Sequence, residues 1–241
     1  MTNLSVNLNK IALLRNSRGN DNPNLLEFAK KFIDLGVNGI TVHPRQDERH
    51  ITQKDCIELS ELLSDYSHVE FNIEGYPSKN FMKLIKRTKP NQCTLVPDSP
   101  EQLTSDHGWN LISNKILIKN VCDKLHGYNI RSSIFIDPDT NQLPLAKEIG
   151  VNRIELFTGA YAYFYGTDKK VLEEYKTVAL MAQKLGIGVN AGHDLSLKNL
   201  ESFLSIGNIL EVSIGHILII ECIKNGMEQT IKNYLDICKN S

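Results

Sequence analysis

Polar residues that can carry protons stand at the ends of several β-like runs in this chain. His43 ends the run at 38–43 and Glu74 ends the run at 69–74, each on the parity opposite to the apolar residues. His193 and His216 each follow a later run after one glycine. Imidazoles and a partly desolvated carboxyl group can exchange protons near neutral pH, so this set indicates general acid–base chemistry.

Cations and glycines accompany these residues. Arg18, Arg45 and Arg49 lie in the segments that follow the first two runs, and Gly192 and Gly215 precede the two later histidines. Glycine lets backbone N–H groups approach an anion, and barrel enzymes commonly hold phosphate after their last two strands. The pattern therefore predicts small phosphorylated substrates.

A metal centre is the alternative use of such a cluster. The chain has no H-E-x-x-H or H-x-H spacing, and its five cysteines include no C-x-x-C pair. Because the candidate ligands are interspersed with arginines, the cluster suits phosphate better than a cation. We therefore predict no metal, and we expect reduced structural cysteines.

Charge and hydropathy bear on location and partners. The chain has 27 Lys and Arg against 28 Asp and Glu among 241 residues, so no net field recruits nucleic acid or an anionic membrane. The longest apolar runs, such as 217–220, are far shorter than the roughly 20 residues that span a bilayer. The start is polar and unlike a signal peptide. We expect a cytoplasmic protein that binds neither nucleic acid nor membrane.

Short β-like runs alternate with longer helical runs along the whole chain, which favours an α/β fold with a parallel sheet. The eight predicted strands are 4–9, 38–43, 69–74, 92–97, 130–136, 152–157, 187–191 and 209–214. The predicted helices after the first three strands begin near 22, 52 and 78, and the others are 115–127, 140–149, 168–185, 196–205 and 216–238. Eight units without a linker predict a single (β/α)8 TIM-barrel domain over 1–241. An open doubly wound sheet is the alternative, but its G-x-G-x-x-G turn is absent, since 13–19 reads LLRNSRG.

Local signals add detail to this outline. Asn22 is the expected cap of a helix that starts at Pro23, and Thr52 with Asp55 has capping-box spacing. The connection at 98–114 is long, so it is either an active-site lid or a plain insertion. Alternation in the strands faces a polar set into the barrel: Asn7, Asn9, Thr41, His43, Glu70, Asn72, Glu74 and Glu155.

Several of these segments together resemble the pyridoxine 5′-phosphate synthase family, including GITVHPR at 39–45 and VNAGH at 189–193. The other matching segments are 6–7 with 14–19, 48–51, 72–77, 89–90 with 95–97, 103–109 and 213–216. They occur in order over nearly the whole chain. The resemblance implies a barrel with additional short helices, a ring-shaped homo-octamer, and no metal or organic cofactor.

The resemblance also implies a reaction and a set of roles. The family condenses 3-amino-2-oxopropyl phosphate with 1-deoxy-D-xylulose 5-phosphate to give pyridoxine 5′-phosphate, phosphate and water. His43 and Glu74 stand at its proton-acceptor positions and His193 at its proton-donor position. The positions that hold the amino ketone are Asn7, Arg18, Gly192, Gly215 and His216, and those that hold the deoxyxylulose phosphate are Arg45, His50 and Thr104.

One place departs from the family pattern. An Asp and a His that usually follow the first strand and contact the deoxyxylulose substrate are here Asn9 and Lys10. We expect Lys10 to take over the lost contact and Asn9 to keep a neutral hydrogen bond, with a solvent-facing Lys10 as the alternative. Two other functions stay open: a phosphosugar aldolase or isomerase, for which Lys10 is the candidate Schiff-base lysine, and a non-catalytic barrel that binds phosphometabolites.

Overall fold

Eight parallel strands close into a barrel in this computed structural model, which describes residues 1–99, 102 and 104–241. Each strand pairs with the next along the chain, and the last pairs with the first. The strands are β1 Asn3–Asn7, β2 Gly39–Val42, β3 Glu70–Gly75, β4 Gln92–Leu95, β5 Arg131–Ile136, β6 Arg153–Phe157, β7 Gly188–Gly192 and β8 Glu211–Ile214. The predicted (β/α)8 barrel is confirmed, and every strand end lies within two residues of its predicted position.

Helices connect the strands and surround the barrel. They are α1 Asn9–Asn16, α2 Leu25–Asp34, α3 Gln53–Leu63, α4 Lys79–Thr88, α5 Leu111–Gly127, α6 Leu143–Ile149, α7 Gly159–Phe164, α8 Lys170–Lys184, α9 Leu200–Leu204, α10 His216–Asn225 and α11 Met227–Lys239. The expected additional short helices include α1 and α7. Within the described residues, no helix is long and apolar enough to cross a membrane.

Two local predictions about the first turn and helix were wrong. The strand predicted at 4–9 ends at Asn7, because the Asn7 side chain accepts a hydrogen bond from the backbone N–H of Asn9 at 3.0 Å and turns the chain into α1. The cap of α2 is Asn24 and not Asn22, since the Asn24 side chain accepts from the backbone N–H of Glu27 at 2.9 Å. The cap therefore lies two residues later than predicted.

The predictions for the α3 capping box and for the last helix had different outcomes. The capping box of α3 is confirmed: the Thr52 hydroxyl accepts from the N–H of Asp55, and the Asp55 carboxylate accepts from the N–H of Thr52. The helix predicted at 216–238 is two helices, because Gly226 between them has φ +83° and ψ 144°, a backbone conformation that glycine adopts readily. Of the long connection predicted at 98–114, positions 100, 101 and 103 lie outside the described residues.

Apolar side chains on the outer face of the strands form the core against the helices, and Ile40, Val42 and Ile73 are fully buried there. The barrel interior is polar instead. The hydroxyl groups of Ser5 and Thr41 lie 2.7 Å apart, and the register places Glu74 beside Thr94. Side-chain hydrogen bonds in this interior join neighbouring strands, as between Asn72 of β3 and Thr41 of β2 at 3.4 Å.

Candidate active site

A cavity of about 600 Å³ opens at the carboxyl ends of the strands. Of the predicted site residues, the following line it: Asn7, Asn9, Lys10, His43, Arg45, His50, Glu74, Thr104, His193, Gly215 and His216. A second cavity of about 470 Å³ adjoins it and shares His43 and Arg45. The predicted acid–base and binding residues thus share one site, at the end of the barrel where such enzymes carry their chemistry.

Two predicted residues do not line the main cavity. Arg18 is exposed just beyond α1. Gly192 is buried at the end of β7, where its carbonyl accepts from the backbone N–H of Thr158 at 3.0 Å and the Thr158 hydroxyl at 2.7 Å. A Cβ atom on Gly192 would lie only 2.6 Å from Oε1 of Glu155. The absence of a side chain at Gly192 therefore leaves room for the buried carboxyl group of Glu155. The predicted substrate contacts of Arg18 and Gly192 stay predictions.

His43 follows β2 directly and is buried. Its backbone N–H donates to Oδ1 of Asn9 at 2.9 Å, which fixes the loop that carries the ring. Burial, together with the positive charges of Arg45 and Arg49, lowers the pKa of His43 to about 3. The ring is therefore neutral at pH 7 and can accept a proton or a hydrogen bond.

His50 stands beside His43, with ring centroids 6.3 Å apart and an edge-on orientation. The backbone N–H of Ile51 donates to Nδ1 of His50 at 2.9 Å, so the proton of the neutral ring is on Nε2. Burial and the nearby cations, Lys10 among them, lower the pKa of His50 to about 3. His50 is therefore a neutral hydrogen-bond donor through Nε2.

Glu74 lies near the end of β3, where its Oε2 accepts a long hydrogen bond of 3.5 Å from the Asn7 side chain. Burial, with the negative charges of Glu155, Asp98 and Glu211, raises the pKa of Glu74 well above its ordinary value. The raised pKa makes the protonated, neutral form of Glu74 more accessible than it is for an exposed carboxyl group.

Glu155 is a candidate functional residue. The alternation in the sequence predicted that it points into the barrel but indicated no role for it. It lies on β6, lines the cavity, and accepts a hydrogen bond of 3.4 Å from the Thr94 hydroxyl. Burial and Glu211 raise its pKa. The available signal was a charged residue at an inward-facing position of a short apolar strand. Asp194 and Ser213 also line the cavity without having been predicted, and so does Arg49, which the sequence indicated only as an accompanying cation.

Arg45 is buried and holds the loop after β4. Its Nη1 pairs with Oδ2 of Asp98 at 2.7 Å, and its Nη2 donates to the carbonyl oxygens of Ser99 at 2.9 Å and Gln102 at 2.7 Å. The hydroxyl of Ser105 donates to the same Asp98 oxygen at 2.8 Å. Arg45 therefore links the mouth of the cavity to the loop, in addition to its predicted contact with phosphate.

The start of α10 forms another part of the cavity wall. His216 is its first residue and Gly215 its cap. A Cβ atom on Gly215 would lie 3.0 Å from Cβ of Asn7, so glycine allows close packing of β8 against the end of β1. Free N–H groups in the first turn of a helix attract anions, which suits a phosphate at this wall.

Three histidines do not line this cavity: His107 contacts the side chain of the neighbouring Asp106, and the other two lie elsewhere. His68 packs beside Tyr66, with ring centroids 6.2 Å apart, ahead of β3. His126 lies 3.1 Å from both the Ser132 hydroxyl and the Asn152 side chain at the other end of the barrel. Within the described part of the chain, no group of three or more His, Cys, Asp or Glu side chains could hold a metal ion.

The fold and the site together define a (β/α)8-barrel enzyme with several titratable side chains and cations around one cavity. The sequence matches the family described as pyridoxal phosphate biosynthesis protein PdxJ over residues 4–240. The chain belongs to this family, which confirms the resemblance seen in the sequence.

Similar proteins align with almost the full length of this chain. A pyridoxine 5′-phosphate synthase of Christiangramia forsetii is 47% identical over 241 residues, covering 99% of this chain and 100% of that protein. The proteins of the same name from Bacteroides fragilis and Leptospira biflexa are 47% and 42% identical, covering 97% and 98% of this chain and 98% and 97% of those proteins.

Solved structures of low identity share the fold. A 3-keto-L-gulonate-6-phosphate decarboxylase of Vibrio cholerae superposes with a TM-score of 0.69 at 10% identity, covering 99% of this chain and 98% of that one. Phosphoribosyl anthranilate isomerase of Thermotoga maritima gives a TM-score of 0.63 at 14% identity, with both chains covered completely. These likenesses concern the barrel alone.

Proposed function

We propose that this protein is a pyridoxine 5′-phosphate synthase, which condenses 3-amino-2-oxopropyl phosphate with 1-deoxy-D-xylulose 5-phosphate. The products are pyridoxine 5′-phosphate, inorganic phosphate and water. The observation that carries the proposal is the convergence of His43, Glu74 and His193 on one cavity, in a chain 42–47% identical to proteins of that name. The reaction needs several proton transfers, and each positioned group can contribute about 10²–10⁴-fold in rate.

Substrate binding should bring both proton acceptors into their working state. His43 with a pKa of about 3 is a weak base, because it is buried and lies beside the positive charges of Arg45 and Arg49. A phosphate dianion bound near these arginines offsets their charge and makes the ring more basic. Conversely, a cationic amino ketone near Glu74 and Asn7 favours the ionised carboxylate. Each substrate thus prepares one acceptor, which couples binding to chemistry.

The two substrates are assigned to neighbouring parts of the cavity. Asn7, Gly215 and His216, with Arg18 and Gly192 by resemblance, hold the amino ketone, whose phosphate lies near the first turn of α10. Arg45, His50 and Thr104 hold the deoxyxylulose phosphate together with Lys10 and Asn9. In support, Lys10 borders the cavity and is close enough to His50 to lower its pKa.

The wider properties follow from the same resemblance. We propose that the enzyme works in the cytoplasm as a homo-oligomer, an octamer by analogy with its family. It uses neither a metal nor an organic cofactor, and it binds no nucleic acid or membrane. The formal net charge of −1 supports the last point, since the chain has no net positive charge to attract nucleic acid or an anionic membrane.

The test is incubation of the purified protein with both substrates. Pyridoxine 5′-phosphate should appear by its absorbance with one equivalent of inorganic phosphate, and omission of either substrate should abolish both signals. Binding without turnover would favour the phosphometabolite-binding barrel. Borohydride trapping of a substrate on Lys10, identified by peptide mass spectrometry, would favour the aldolase instead.

A further inference from the structure

The imidazole ring of His193 is held from three sides. Nδ1 lies 3.1 Å from Oδ2 of Asp194, and Nε2 lies 3.1 Å from the hydroxyl oxygen of Thr104. The ring of Phe157 packs edge-on against the imidazole, with centroids 5.1 Å apart and an interplanar angle of 72°. Because Thr104 and His193 both line the cavity, Nε2 is the nitrogen placed to exchange a proton with a substrate.

The backbone that presents this ring is in a conformation that non-glycine residues adopt rarely. His193 has φ +91° and Asp194 has φ +57°. The hydroxyl of the fully buried Thr158 reaches the carbonyl oxygens of both Gly192 and His193, and the Asn199 side chain donates to the carbonyl of Asp194 at 3.3 Å. Such over-determined strain is characteristic of functional positions. Here it sets the Asp194 carboxylate against the preceding ring.

We infer that Asp194 is a positioning residue for His193, whose carboxylate accepts the Nδ1–H hydrogen bond, fixes the tautomer and stabilises the protonated ring. The inference rests on the proposed role of His193 as the proton donor. An ionised carboxylate can only accept hydrogen bonds, so Nδ1 must carry a proton whenever this contact is made. The hydrogen bond from His193 also lowers the pKa of Asp194, which keeps the carboxylate ionised.

The proton transfer that this arrangement supports is balanced. In the protonated ring, the Nε2–H bond breaks and its electron pair stays on the nitrogen. The proton joins the leaving oxygen of the substrate, which keeps the electrons of its broken C–O bond. The ring ends neutral, with Nδ1–H still bonded to Asp194. A carboxylate behind the histidine thus holds the donor in one orientation through the whole step.

Two variants of Asp194 separate charge from backbone conformation. D194N keeps the shape and the tolerance for positive φ but loses the charge, and its amide can donate to Nδ1 and favour the other tautomer. D194G relieves the backbone and removes the side chain. We expect both to lower kcat about 10–100-fold with little change in either KM. A purely conformational role predicts full activity in D194N and D194G, and that result would overturn the inference.

The pH profile gives a second readout. We expect the pH profile of kcat in D194N to differ from that of wild type, because the carboxylate that faces Nδ1 of His193 at 3.1 Å is replaced by a neutral amide. The other titratable and charged groups that line the cavity are unchanged in the variant: Lys10, His43, Arg45, Arg49, His50, Glu74, Glu155 and His216. E201Q is the matched control, since Glu201 is exposed in the first turn of the nearby α9, and its profile should equal that of wild type.

A measurement without substrate keeps the two proposals distinct. In ¹⁵N-histidine NMR spectra, with His193 assigned through H193N, wild type should show the Nδ1–H tautomer of the neutral ring and D194N a shift toward Nε2–H. An unchanged tautomer in D194N would overturn the inference even if the enzyme is active. A shifted tautomer in a protein without synthase turnover would sink only the proposed function.

Discussion

Oδ1 of Asn9 accepts a hydrogen bond of 2.9 Å from the backbone N–H of His43, so the first turn of α1 directly holds the loop that carries a candidate base. The same Asn9 begins the helix, through its own N–H to the Asn7 side chain. The amide N–H groups of Asn9 have no such role in this contact and can donate to a substrate. Asn9, which departs from the family pattern, therefore makes a structural hydrogen bond to the backbone of His43 next to the candidate active site.

Glu74→Gln should lower turnover at least 10²-fold while the circular dichroism spectrum and melting temperature stay close to wild type. The amide has the same shape but cannot accept a proton, and the Asn7 contact at 3.5 Å is too long to dominate stability. Steady-state kinetics with both substrates measure the effect. His68→Asn is the control and should be kinetically silent. Near-wild-type turnover in Glu74→Gln would remove Glu74 from the mechanism.

Activity should not depend on a divalent cation. The polar groups around the cavity alternate with Arg45, Arg49 and Lys10, whose charges repel a metal ion and attract phosphate. We expect full turnover after dialysis against EDTA, with metal analysis of the same sample. Loss of activity that a single divalent ion restores would contradict this prediction.

Glu211→Gln should change how stability depends on pH. Burial raises the pKa of Glu211 to about 7 from an ordinary 4.5. The native state therefore binds this proton more tightly than the unfolded state, and the resulting stability is present below pH 4.5 and lost as pH rises toward 7. The loss is on the order of 1–3 kcal/mol, because the shift is shared with the neighbouring carboxyl groups.

The glutamine in this variant cannot titrate, so its stability relative to wild type should increase between pH 5 and pH 8. Denaturant midpoints across this range measure the difference. His43 and His50, whose pKa values are lowered to about 3, shift stability in both proteins equally as pH falls below 6.5, so their contribution cancels. Parallel curves for the two proteins would show that Glu211 keeps an ordinary pKa.

Alternation along the strands carried most of what the sequence could predict about the site. In β2 and β3, apolar residues on one parity placed Thr41, His43 and Glu74 on the other, and the closed barrel then brings all inward side chains of successive strands together. A local pattern is sufficient here because the period of the strand decides which face a residue occupies. The same logic faced Glu155 inward.

Such patterns could not predict contacts between segments that are distant in the sequence. Nothing near Arg45 in the sequence indicates that its guanidinium pairs with Asp98, fifty-three positions later. The use of Asn7 and Asn9 in a helix-starting turn was hidden for a similar reason, since an alternating polar pattern also fits a strand. Only the backbone of the finished barrel distinguishes these possibilities, because each depends on where a neighbouring strand ends.

Lys10→Ala should raise the KM for 1-deoxy-D-xylulose 5-phosphate about 10-fold or more, with little change for the amino ketone. Lys10 is half-buried on α1 and lines the cavity near His50, which favours a contact with the substrate over a solvent-facing position. A charge-assisted hydrogen bond to a hydroxyl or phosphate group contributes about 1.5–3 kcal/mol, which corresponds to that change in KM. Lys30→Ala, on the exposed surface of α2, removes the same charge far from the cavity and serves as the control. Equal KM values in wild type and Lys10→Ala would show that this position has drifted and that the lost family contact has no replacement here.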